Sequence, residues 1–123
     1  MTNMQERKKL LEDIFQLKDP QKLPQLTKSL RDIGWDSPEG EVANLRSMHI
    51  LLILQRYLNG ELDEQQVEDW ANLVEIREDI TFGVHEDEKA VMEAIHDLAN
   101  PVLEGALTHE RAKKLILGLQ ESA

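Results

Sequence analysis

The sequence predicts an all-α protein, a single compact bundle of five to six helices that forms one domain over residues 1–123. Three observations favour this fold class. Apolar residues recur at three- and four-residue spacing along most of the chain. Glycine, proline and capping residues separate these amphipathic segments. The chain has no cysteine, and its 123 residues are enough to bury a core without disulfides or thiolate metal sites.

The first two helices are predicted over 3–17 and 20–33. The first buries a stripe of four apolar residues at helical spacing, namely Leu10, Leu11, Ile14 and Phe15. Asp19 can cap the second helix, and Pro20 suits its first position because the N–H there has no partner within the helix. Gly34 ends the second helix, and a turn follows.

The third helix, near 39–58, is expected to be the central apolar helix of the bundle. One face would carry Val42, Leu45, Met48 and Leu52, and the other faces Ile50, Leu51, Ile53 and Leu54. A helix that is apolar most of the way round is surrounded by neighbours. A buried strand could show the same short run, but the helical spacing on both sides favours a helix.

The fourth helix is predicted to begin inside YLNGELDEQQVEDW, residues 57–70. Gly60 can adopt the left-handed conformation that stops the preceding helix. Asp63 is an N-cap, and Gln66 completes a capping box three residues later. The hydrophobic staple around this cap would be Leu62 with Val67. The same linker pattern returns 45 residues later, with Gly105 as the stop and Thr108 as the cap.

The remaining segments are a short linker and two helices. Residues 80–84 alternate apolar with polar or small side chains, so they are expected to be extended or irregular, with no evident strand partner. A fifth helix is predicted over 86–99 and a last helix over 108–120.

The charge of the chain is strongly uneven. The net charge is −10, and the segment from Glu61 to Asp97 holds thirteen acidic and two basic residues, a net charge of −11. Such a field repels nucleic-acid phosphates and attracts cationic partners. A solvated acidic face that aids solubility would have the same composition.

No membrane, nucleic-acid or cofactor signal is present in the sequence. The first residues are charged throughout, unlike a signal peptide, and the longest apolar run, 50–54, falls far short of the roughly 20 residues that a membrane helix needs. The expected location is the cytoplasm, which suits a chain without cysteine. No cofactor is expected.

Catalytic signals are few. A nucleophilic serine or cysteine motif and a phosphate-binding loop are both absent from the sequence. His49, in the apolar third helix, is expected to be a core or groove histidine bonded to a neighbour. The sharpest catalytic candidate is a divalent-metal site built from two i,i+3 pairs on helices, Glu75 with Glu78 and Glu93 with His96. Di-metal bundles need two E-x-x-H motifs and this chain has one, so no metal is the primary expectation.

Partner binding suits the acidic residues better than metal binding does. Six carboxylates are the candidates for contact with a basic protein: Glu64, Glu68, Asp69, Glu75, Glu78 and Asp79. Glu68, Glu75 and Asp79 lie near one helical face, because the last two are seven and eleven residues from the first. Dense carboxylates on a rigid helix give fast, salt-sensitive association.

The stretch YLNGELDEQQVEDWANLVEIREDITF, together with the size and acidity of the chain, resembles small acidic all-helical bacterial toxin-immunity proteins of the colicin D immunity type. The resemblance covers 57–101 and rests on short phrases such as G-x-L…W-A. It implies a compact helical protein that neutralises a toxin, often a nuclease, by covering its basic active cleft. It carries no functional residue of the family over to this chain.

The expected function is therefore that of a non-enzymatic acidic binding protein, an immunity or antitoxin-like inhibitor whose partner is a basic toxin domain. Two alternatives stay open. One is a divalent-metal-dependent all-α hydrolase that uses Glu75, Glu78, Glu93 and His96. The other is a helical homo-oligomeric scaffold protein, for instance a homo-dimer.

Asp63→Ala is predicted to lower the free energy of unfolding by about 0.5–2 kcal/mol, because it removes the N-cap of the fourth helix. Denaturant melts measure this loss. Partner binding should be unchanged, and a variant that loses binding at unchanged stability would contradict the structural role of Asp63.

Overall fold

The computed structural model describes residues 4–17, 20–33, 43–75, 80–83 and 87–122. In chain order, its elements are α1 (Met4–Gln16), a 3-10 turn (Pro20–Lys22), α2 (Leu23–Ile33), β1 (Ala43–Leu45), α3 (Ser47–Leu58), α4 (Glu64–Glu75), β2 (Ile80–Phe82), α5 (Glu88–Ala99), α6 (Pro101–Glu104) and α7 (His109–Ser122). The all-α prediction is confirmed: six longer helices and the one-turn helix α6 dominate the described residues. The predicted cap Asp19, the stop Gly34 and the turn after it lie outside these residues.

The core is centred on α3, which contacts α1, α4, α5 and α7. Ile50, Ile53 and Leu54 of this helix are fully buried, which confirms the prediction of a central apolar helix. Two of its predicted inner-face residues, Met48 and Leu52, are exposed instead. The predicted stripe of α1 is buried as expected. Leu11, Ile14 and Phe15 belong to the core, and Leu10 is partly buried against it. No helix among the described residues is long and apolar enough to cross a membrane.

The predicted start of the third helix, at residue 39, is wrong for the part of 39–58 that the structure describes. The helix begins at Ser47, and Ala43–Leu45 is a β-strand. The burial pattern of β1 has the strand period of two, because Ala43 and Leu45 are buried and Asn44 between them is only partly buried. The Asn44 amide donates to Thr81 Oγ1 at 2.7 Å and to the Gly83 carbonyl at 2.8 Å, and these distant partners favour the extended conformation.

The partner of β1 is β2, which pairs with it in parallel. The register places Ala43 beside Ile80 and Leu45 beside Phe82. The prediction that residues near 80 are extended is thus confirmed for Ile80–Phe82, and β1 is the partner that the sequence did not reveal.

Gly83 lies where the two-stranded sheet meets the start of α5. Its N–H donates to the Leu45 carbonyl at 2.7 Å, and its φ of +69° lies in the left-handed region that favours glycine. A Cβ at this position would lie 2.7 Å from the Glu88 Cα and 2.8 Å from Asp87 Oδ1. No side chain fits there unless the backbone of α5 moves.

The predicted capping chemistry is confirmed at the start of α4. The Gln66 N–H donates to Asp63 Oδ1 at 2.8 Å, and the Asp63 N–H donates to Gln66 Oε1 at 2.9 Å. Gly60 has the expected positive φ, +82°. The second copy of the pattern behaves in the same way, because Gly105 has a φ of +107° and the Arg111 N–H donates to Thr108 Oγ1 at 3.2 Å.

Gly83→Ala is expected to lower the free energy of unfolding by at least about 2 kcal/mol, because it adds a steric clash with α5 to the strain of a left-handed alanine. Gly60→Ala is the matched control. It has a similar φ, but nothing lies within 4 Å of the added Cβ, so only the strain of about 1–2 kcal/mol remains. Urea melts of the two variants measure the difference, and equal losses would show that the contact with α5 is unimportant.

Candidate functional site

The orientation of α4 is set by its buried face. Five apolar residues of this helix are buried, namely Val67, Trp70, Ala71, Leu73 and Val74. The Trp70 indole N–H also donates to the Ile14 carbonyl of α1 at 2.8 Å. Glu64, Glu68 and Glu75 are four and seven residues apart along the chain, so their side chains leave α4 along one stripe beside the buried face.

This stripe faces carboxylates from α5 and α6. Glu64 and Glu68 line a cleft of about 220 Å³ together with Asp97 of α5 and Arg111 of α7. Glu75 and Glu104 lie further along and contact the same histidine, His96. We call this set the acidic seam, and its members are Glu64, Glu68, Glu75, Asp97 and Glu104.

His96 bridges two carboxylates of the acidic seam. Its Nδ1 lies 3.3 Å from Glu75 Oε2, and its Nε2 lies 3.4 Å from Glu104 Oε1. An imidazole that carries a proton on both nitrogens can donate to both oxygens. His96 of α5 therefore ties the end of α4 to α6. The Asn100 side-chain amide also donates to the His96 carbonyl, at 2.8 Å.

Asp97 of the acidic seam is partly buried. Burial raises the pKa of Asp97 above its ordinary value, and the nearby carboxylate of Glu104 raises it further. The Arg111 guanidinium, 3.7 Å away, opposes this shift of the pKa. The cleft therefore holds more negative charge than its own cation neutralises.

Glu64 and Glu68 are the free carboxylates of the acidic seam. Neither one accepts a hydrogen bond from, or forms an ion pair with, any residue that the structure describes. Glu68 is half-buried at the edge of the cleft, and Glu64 is exposed in the first turn of α4. Both can therefore accept contacts from a molecule outside the chain.

The other predicted partner-binding residues fall in different places. Asp69 is exposed and lies off the stripe, where the Gln65 side-chain amide donates to it at 2.9 Å. Glu78 and Asp79 lie outside the described residues. Of the six predicted carboxylates, Glu64, Glu68 and Glu75 thus share one stripe of α4, where Glu64 and Glu68 line the cleft and Glu75 contacts His96.

The alternative metal site is brought together only in part. Glu75 and His96 meet across α4 and α5, whereas Glu93 turns to Lys89 at 3.9 Å on the exposed face of α5. Glu78, the fourth member, lies outside the described residues. Within the parts of the chain that the structure describes, no group of three His, Asp or Glu side chains is arranged to hold a metal ion.

His49 has a structural role that the sequence indicated only in outline. Its Nδ1 accepts a hydrogen bond from the Arg46 N–H at 2.9 Å, at the start of α3. Its ring centroid lies 5.1 Å from that of Phe15. The expectation of a groove histidine bonded to a neighbour is confirmed, because His49 also lines a second cleft of about 470 Å³ between α1 and the sheet.

Comparison with protein-family models, with curated proteins and with solved structures found no match to this chain.

The contribution of His49 to the free energy of unfolding is expected to fall as the pH drops below about 6.5. Burial, and then the charge of Arg46, lower the pKa of His49 below its ordinary value. The unfolded chain therefore takes up this proton first, and stability present above the ordinary pKa is lost as the pH falls through the folded one.

His49→Gln isolates this contribution, because glutamine can still accept the Arg46 N–H and does not titrate. Denaturant melts between about pH 7.5 and about pH 5.5 should show that the stability of the native chain, relative to that of the variant, falls as the pH drops. Parallel curves for the two proteins would contradict the lowered pKa of His49.

Proposed function

We propose that the protein is a non-enzymatic acidic binding protein of the immunity or antitoxin type, which inhibits a basic toxin by covering its active cleft. The observation that carries the proposal is the acidic seam with its two free carboxylates, Glu64 and Glu68. Both residues lie on α4, whose backbone is held by the buried face of the helix and does not have to be ordered when a partner arrives.

The electrostatics of the acidic seam favour a cationic protein surface. Glu64, Glu68 and Asp97 line one cleft together with a single cation, Arg111, while Glu75 and Glu104 both contact His96. Neighbouring like charges repel one another and weaken the free fold slightly. Lysine and arginine side chains from a partner would relieve that repulsion, and the same field would steer the partner during association.

Nuclease-type toxins are suitable partners on chemical grounds. A cleft that binds a phosphate backbone is lined by basic side chains, and a row of carboxylates on a rigid helix is complementary to it. The proposal places this interaction in a bacterial cytoplasm, which suits a chain without cysteine.

The metal-dependent hydrolase is the second candidate, and the contact between Glu75 and His96 favours it. A metal site there would require Glu93 to leave Lys89 and His96 to give up one of its carboxylates. The acidic binding protein needs no such rearrangement, so it is the better account of the same residues.

The test is the association rate with a basic partner recovered from the native host by using this chain as bait. The variant Glu64→Lys with Glu68→Lys should slow association by at least about tenfold, within the range of electrostatic steering. Stopped-flow measurements at two salt concentrations should also show a native rate that falls steeply as salt rises.

The matched control is Glu12→Lys with Asp13→Lys, which reverses two exposed charges of α1 and changes the net charge by the same amount. This control should slow association less, and thermal melts should be nearly unchanged for both variants. If the recovered partner is acidic, the acidic seam is only a solvated face. The same conclusion follows if the association rate changes neither with salt nor in the variant Glu64→Lys with Glu68→Lys.

A further inference from the structure

Helix α6 presents two apolar side chains to solvent beside the acidic seam. Val102 is 96% exposed and Leu103 is 76% exposed. Single exposed apolar residues are common on protein surfaces. These two are consecutive, and the residues on either side of their turn, Pro101 and Gly105, line the cleft that Glu64 and Glu68 border.

Apolar and charged side chains both line the cleft. Its apolar lining comes from Val67 of α4, Leu98 of α5, Pro101 of α6 and Leu107 before α7. All of these except Pro101 are buried, so the apolar surface open to a partner comes from Pro101 and from the exposed pair on α6. Apolar surface ringed by charged groups is typical of protein interfaces, which have an apolar centre and a polar rim.

The backbone conformation of α6 is fixed by hydrogen bonds within its own turn. The Gly105 N–H donates to the Pro101 carbonyl at 2.9 Å, and the Asn100 carbonyl accepts from the Leu103 and Glu104 N–H groups at 3.1 and 2.9 Å. The Glu104 side chain contacts His96 of α5. The backbone that carries the two apolar side chains is therefore held before any partner arrives, which limits the entropy lost on binding.

We propose that α6 and the adjoining cleft form a docking site for a basic peptide segment in which an apolar side chain lies between lysine or arginine residues. The apolar side chain packs against Val102 and Leu103 beside the cleft, and the flanking cations pair with Glu64 and Glu68. This inference rests on the proposed function and adds to it the chemistry of the segment that the partner inserts.

Charge decides among the possible occupants of this surface. A second copy of the chain would bring a net charge of −10, and a symmetric contact through α6 would set two acidic seams near each other. Like charges facing each other across an interface oppose binding. A cationic segment meets no such repulsion, so it is the occupant that the surface favours.

The probes are three synthetic peptides with the same length and amidated ends: lysines around a central leucine, lysines around a central serine, and glutamates around a central leucine. Titration into the isotopically labelled full chain is followed through the backbone amide signals of α4 and α6. We expect the leucine–lysine peptide to shift these signals saturably, and the serine–lysine peptide to bind at least about tenfold more weakly, as for the loss of an interface anchor. The leucine–glutamate peptide should not bind.

Two variants separate the apolar contact from the charge. Val102→Ser with Leu103→Ser should weaken binding of the leucine–lysine peptide at least about tenfold and leave binding of the serine–lysine peptide unchanged. Leu117→Ser is the matched control, because Leu117 is also exposed, at 58%, but lies on α7 away from this cleft. This control should change neither affinity.

The outcomes separate the docking site from the proposed function. If both lysine peptides bind α4 equally and the α6 variant has no effect, the docking site is wrong while the acidic binding protein stands. If no lysine peptide binds and no basic partner associates with the chain, both are wrong. If sedimentation shows a dimer that the α6 variant dissociates, a second copy covers this surface and the docking site is overturned.

Discussion

The rest of the structure depends on the attachment of Trp70 to α1. The Trp70 side chain is fully buried, and its indole N–H donates to the Ile14 carbonyl 56 residues away in sequence. A buried indole N–H without an acceptor is costly, so the hydrogen bond and the packing select one rotation of α4 about its axis. That rotation points Val67 and Val74 into the core and leaves the stripe of Glu64, Glu68 and Glu75 beside α5. The acidic seam is therefore a consequence of core packing on the other side of the same helix.

A second constraint places α5 against α4. The parallel pairing of β1 with β2 brings Gly83 to the Leu45 carbonyl, and the lack of a side chain at Gly83 lets α5 begin within van der Waals contact. Since α5 starts there and packs along α4, His96 and Asp97 near its end reach the acidic carboxylates. The short sheet thus sets where α5 begins. Its three-residue strands would have little stability without the helices around them.

The sequence predicted most of what is local and little of what is distant. The capping box of Asp63 and Gln66 could be predicted because its partners are three residues apart and its geometry follows from helix termini alone. Strand β1 could not, because Ala43–Leu45 has no strong strand preference and its extended form depends on Thr81 and Gly83, far along the chain. Six acidic residues, Glu64 and Glu68 among them, could be predicted as candidate binding residues from the local charge alone. Asp97 and Glu104 were missed as members of the acidic seam, because their neighbours depend on which helices pack together. The position of Asp97 next to Leu98, which is buried, was the one sequence feature that indicated a place near the core for this carboxylate.

The groups that hold the fold differ from those that we propose to contact a partner. Caps, the core and Gly83 hold the fold, while Asp97 works against it near neutral pH. Since burial raises the pKa of Asp97, the stability it contributes is present below its ordinary pKa and is lost as the pH rises through the folded value. A carboxylate that is ionised at a cost in the free protein gains most from a cation brought by a partner, because that cation lowers its pKa again. A proton and a cationic side chain would thus compete for Asp97, and the buried charge that weakens the isolated fold would strengthen the proposed complex with a basic protein.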